Sequence, residues 1–108
     1  MAYIPTRFVG PTLLTVTPSP LYSFPSNAIV KEILISNISQ GLLSMSMWLV
    51  PNGQSYGDQY KFVGDIQIDG NTTVIMDISQ VVNAGESIYA GSNVTGYINV
   101  CISGVLVQ

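Results

Sequence analysis

The side chains of this 108-residue chain best suited to acid–base or cation chemistry are six carboxylates: Glu32, Asp58, Asp65, Asp69, Asp77 and Glu86. Two carboxylates facing a sugar can cleave a glycosidic bond, and several together can hold Ca2+. The densest acidic stretch has Asp65 and Asp69 bracketing Ile66-Gln67-Ile68, with Asp58 shortly before. No Asp-x-Asp-x-Asp-Gly order accompanies them, so they read as solvated acids at turns. The chain has no His, which removes Ser-His-Asp and Cys-His arrangements. Its single Cys101 cannot build a thiolate zinc site or a CxxC couple, and its alternation with Ile102 predicts a buried, inert thiol. Glycines fall singly at turns and form no phosphate loop. The expectation is a protein that is not an enzyme, with no cofactor and no metal.

Charge points the same way. Charged residues make up 8% of the chain, three Lys/Arg against six Asp/Glu, where an ordinary domain carries about 25%. Ser, Thr, Asn and Gln supply 32 neutral hydrogen-bonding side chains in their place. The three cations, Arg7, Lys31 and Lys61, are dispersed, which speaks against partnership with nucleic acid or an anionic membrane surface. No apolar run approaches the roughly 20 residues of a membrane span, and Met1-Ala2-Tyr3-Ile4-Pro5 lacks the look of a signal peptide. Synthesis in the cytoplasm is therefore expected. Three Asn-x-Ser/Thr sequons, at Asn37, Asn71 and Asn93, read as turn-forming Asn beside strand-forming residues rather than as glycosylation sites.

The elements that must position these groups are strands. Val, Ile and Thr number 31, while Ala is 4 and Glu 2. Residues 1–11, with Pro5, Gly10 and Pro11, cannot form a central strand and are expected to be an extended N-terminal arm, leaving 12–108 as the domain. Strands are expected at 12–17, 21–24, 28–37, 43–50, within 60–68 around Gly64, at 73–78, 87–90 and 97–107, with a helical turn over 79–85. In 28–37, Ile29, Lys31, Ile33 and Ile35 should share one face, and Val30, Glu32, Leu34 and Ser36 the other, with both faces covered. Gly104 is placed for a bulge. About eight strands in this length predict an all-β fold, a single antiparallel β-sandwich of jelly-roll or Greek-key type.

Contact chemistry remains. Trp48 falls on the Ser44/Ser46 face, opposite Leu43, Met45 and Met47, and reads as packed on a neighbouring strand or under a loop, or else as a subunit contact. Tyr56 and Tyr60 flank the longest loop. Tyr3, Ile4, Arg7 and Phe8 lie in the arm, whose apolar residues suit docking on another subunit better than they suit a first edge strand. These seven residues are the candidate contacts with other subunits.

Leu21-Tyr22-Ser23-Phe24-Pro25, Ala28 through Ile33, Asn37, and Trp48-Leu49-Val50-Pro51-Asn52-Gly53 together resemble a pattern of small accessory virion proteins of tailed bacteriophages. Asp77 through Val82, Asn83-Ala84-Gly85-Glu86-Ser87-Ile88 and Ile102-Ser103-Gly104-Val105 extend the similarity over nearly the whole chain. The resemblance implies a capsid decoration, or cement, protein. Such a protein would be a β-sandwich subunit, commonly a homotrimer, that sits on the virion capsid surface, binds the major capsid protein and stabilises the head. The alternative is a tail-tip or fibre module that binds a host-surface glycan through Trp48, Tyr56 or Tyr60.

Overall fold

The computed structural model describes residues 2–107; Met1 and Gln108, the first residue of the expected arm and the last of the expected domain, lie outside the described residues. Eight strands follow in order: β1 Tyr3–Leu13, β2 Ser19–Ser23, β3 Ala28–Asn37, β4 Leu43–Val50, β5 Lys61–Ile68, β6 Thr72–Val82, β7 Ser87–Ser92 and β8 Ile98–Val107. A short 3-10 turn, Asp58–Tyr60, precedes β5. The strands form two antiparallel sheets, β1-β8-β3-β6 and β2-β7-β4-β5. Every connection except β4–β5 passes from one sheet to the other, which is the winding of an eight-stranded jelly roll.

The core lies between the sheets. Val30, Ile33 and Ile35 of β3, Val100 and Ile102 of β8, Met45 and Met47 of β4 and Ile88 of β7 are fully buried there. At one end Phe8, Tyr22 and Phe24 pack ring on ring, with Phe8–Phe24 centroids 4.9 Å apart and Tyr22–Phe24 centroids 4.8 Å apart. At the other end Asn37 anchors the β3–β4 turn. Its buried amide donates to the carbonyls of Gly41 and Ile68, both at 2.8 Å, and accepts from the Ser39 main-chain N–H and hydroxyl. This sequon asparagine is thus consumed in turn formation. Gly53, in the expected turn after Pro51, has φ 79°.

Four expectations are corrected. Residues 3–13 are extended, but they are no free arm: they pair with β8 as an edge strand, a position where Pro5 and Pro11 are tolerated, and they bury Phe8 and Val9 in the core. The division at residues 11 and 12 therefore does not separate an arm from the sandwich. In β3 the faces change phase at Lys31, where the pairing with β8 slips by one residue, so Val30 and Ile33 both point inward. The slip faces Gly104, where a Cβ would run into the Ile29 carbonyl oxygen, so only glycine lets the two strands approach there. Over the expected helical turn at 79–85, residues 79–82 are instead the end of β6, because Gln80, Val81 and Val82 pair with Val30, Ile29 and Ala28, and 83–85 turn into β7. Finally, Cys101 is half-exposed on the outer face of β8, since Val100 and Ile102 take the inner one.

Candidate interaction surfaces

Cross-strand register places opposed residues on one face of a sheet. On the outer side of β1-β8-β3-β6 this produces rows that run across all or most of the sheet. Pro5, Val105, Ile29 and Val81 form an apolar row. Next comes a charged row, Arg7, Ser103, Glu32 and Asp77. A second apolar row, Cys101, Leu34 and Ile75, follows, and then Leu13, Asn99, Ser36 and Thr73. The Ser36 and Thr73 hydroxyls bond each other at 3.0 Å. Lys31, displaced at the bulge, donates to Ser79 Oγ at 3.1 Å.

Among the described residues no further layer covers this face. Ile75 and Val81 are each 61% exposed, against a side-chain pattern on the inner face that is almost wholly buried. Covering a β-branched side chain of this size is worth about 1.5–3 kcal/mol, so an apolar sheet face left in water is a docking surface in waiting. The charged row adds direction. Among the described residues both ion pairs belong to Lys61, and Arg7, Glu32 and Asp77 have no ionic partner there. Arg7 sits on one edge strand and Asp77 on the other, three strand spacings or about 14 Å apart, too far to reach each other.

The outer side of β2-β7-β4-β5 is built differently. Trp48 stands opposite Tyr89, and the loop after β4 brings Tyr56 down on both, with Trp48–Tyr56 centroids 5.5 Å apart and Tyr56–Tyr89 centroids 5.7 Å apart. Lys61 Nζ lies 5.5 Å from the Trp48 ring centroid and is 3.9 Å and 3.8 Å from carboxylate oxygens of Asp58 and Asp65. Both carboxylates are exposed, so these pairs add little. Trp48 is consequently only 7% exposed, and its indole Nε1 is buried without a hydrogen-bond partner among the described residues. Beside it runs a groove of about 180 Å³ lined by Val16, Pro18, Ser44, Asp65 and Asn93 among others.

The expected contact residues therefore separate. Tyr3 and Arg7 lie on the first face, paired with Val107 and Ser103, and both are exposed. Ile4 is 40% exposed on the side opposite Tyr3, and Phe8, 6% exposed, is a core residue and leaves the list of contacts. Trp48 packs under a loop, Tyr56 is its half-exposed cover, and Tyr60 ends the 3-10 turn with intermediate exposure. The residues that sequence reasoning missed are Ile29, Leu34, Ile75, Asp77 and Val81, whose common face emerges only from register. Asp65 and Asp69 do not form part of a metal cluster: among the described residues no three Cys, Asp or Glu side chains gather as one would require.

Compared with family models, with curated proteins and with solved structures, the chain matches none.

Proposed function

We propose that this chain is a structural virion protein: a capsid decoration, or cement, protein that binds the outer surface of a phage head and stabilises it as a homo-oligomer. One observation carries the self-associating part of this reading, the uncovered outer face of β1-β8-β3-β6 with its apolar rows and unpaired charges. The place on a phage head rests on the resemblance of residues 21–25, 28–33, 37, 48–53, 77–88 and 102–105 to small accessory virion proteins. A decorating subunit needs one surface for its own kind and another for the major capsid protein. The sheet face and the Tyr56 loop lie on different sheets and do not compete. A low-charge surface of hydroxyls and amides also keeps its hydration through large changes of salt, because few of its contacts are ionic.

The test is binding of the purified chain to expanded heads, with its copy number in purified particles counted by mass spectrometry. Saturable binding and hundreds of copies are expected. No binding, or only a few copies per particle, overturns the reading and moves the protein to the tail tip.

A glycan-binding module is the second reading, and the groove beside Trp48, with Ser44, Asp65 and Asn93 on its wall, is the observation in its favour. Against it, the Trp48 ring is already engaged by Tyr56 and Lys61 and offers no open face for a sugar to stack on. Binding on a glycan array that is lost in Tyr56→Ala with the fold intact would promote it over the first.

A further inference from the structure

The row pattern on the β1-β8-β3-β6 face is self-complementary under one operation. Rotate a second copy by 180° about an axis parallel to the strands, lying over the boundary between β8 and β3, and lay it face to face on the first. Height along the strands is preserved, so each row meets its own equivalent. The Pro5-Val105-Ile29-Val81 row then packs on the same apolar row, and Cys101-Leu34-Ile75 on its counterpart. Position across the strands is reversed, so Arg7 at one edge arrives over the partner's Asp77, and Asp77 over the partner's Arg7. The geometry points to an isologous, two-fold pairing of two copies of this chain through this face.

Electrostatics select this orientation. Turning the copy instead about an axis across the strands, over the charged row, would still bring apolar row onto apolar row but would lay Arg7 toward Arg7, Glu32 toward Glu32 and Asp77 toward Asp77. Packed sheets align at about 30°, which displaces an edge residue about 7 Å from the axis by about 4 Å, a gap that an arginine side chain spans. Four strands at about 4.8 Å, with a central strand of 10 residues, make a footprint of about 600 Å² per copy before side-chain relief. That approaches the roughly 800 Å² per partner of an ordinary stable interface. The opposite sheet lacks such a surface, since its aromatic residues are already capped by the Tyr56 loop.

This inference rests on the reading of the chain as a self-associating protein, and it replaces the threefold implied by resemblance with a twofold. Sedimentation of the full chain from about 1 to 100 µM, read together with the reaction of native Cys101 with a thiol-specific reagent, tests it. Cys101 sits in the second apolar row beside the axis, so it should be protected as the dimer forms. Charge reversal at an edge, Arg7→Asp or Asp77→Arg, should weaken dimerisation at least about tenfold, and the double reversal R7D/D77R should restore it to within about threefold. Both side chains are exposed, so the melting transition of each variant serves as the control for folding.

A monomer at 100 µM, a trimer, a dimer whose Cys101 reacts at the monomer's rate, or a double reversal that does not rescue each overturns the pairing. A monomer in solution whose Cys101 becomes protected on heads also overturns it and assigns the face to the shell. A dimer that fails to bind heads leaves the pairing standing and removes the proposed function instead.

Discussion

The hydroxyl of Ser46 holds Asp65 twice: it accepts the Asp65 main-chain N–H at 2.8 Å and donates to Oδ1 at 2.8 Å. Asp65 needs that hold. Its φ is 42°, in the left-handed region, where the β4–β5 pairing slips between Met45 and Met47. One buried hydroxyl thereby fixes the bulge that aims the Asp65 carboxylate toward Lys61.

Ser46→Ala should lower stability by about 1–3 kcal/mol, because the Asp65 N–H loses its partner. A urea melt with unchanged m-value and a lower midpoint is the expected result. An unchanged midpoint would mean that the bulge stands without the hydroxyl.

Asn37→Ala should cost about 3 kcal/mol or more. The change strips the Ile68 carbonyl of its Asn37 donor and leaves the Ser39 N–H without an acceptor at the buried β3–β4 turn. Thermal unfolding checks it, and hydrogen exchange should show the loss concentrated at that end of the sandwich.

Trp48→Phe should cost clearly less than Trp48→Ala, since Nε1 has no hydrogen bond to lose and one of the two fused rings is kept. Trp48→Ala should cost about 3–5 kcal/mol. Tyr56→Ala, which removes the cover, should red-shift the fluorescence of the single tryptophan without unfolding the chain.

Gly104→Ala should destabilise by about 2 kcal/mol or more, because the added carbon meets the Ile29 main chain, which cannot swing aside as a side chain would. A variant that melts with the native protein would show that β3 can shift at its bulge.

Much of the fold is legible in residue type alone. The ends of β3 and β4 fall where alternation begins and stops, 28–37 and 43–50, and the turn at Gly53 follows from Asn-Gly chemistry. What escapes is set across strands rather than along them. The phase change at Lys31 is imposed by the slip against β8 at Gly104, a residue more than seventy positions away, and nothing within 28–37 announces it. Pro5 and Pro11 argue against a central strand but not against an edge strand, and only the pairing with β8 decides between edge and arm. The candidate face is hidden for the same reason. Ile29, Leu34 and Ile75 look like core residues until register sends them outward beside Cys101.

The two margins of the β1-β8-β3-β6 sheet are unequal, and this limits how the protein can go wrong. β1 is short of two main-chain donors at Pro5 and Pro11 and slips register twice, so it is a poor template for an incoming strand. β6 is 11 residues long, without proline, and carries one charge, Asp77. A ribbon with one receptive selvedge can accept a neighbour but cannot pass the invitation on. Strand addition at β6 ends with a pair, and the asymmetry between the edges guards a charge-poor protein against growing into fibres along this sheet.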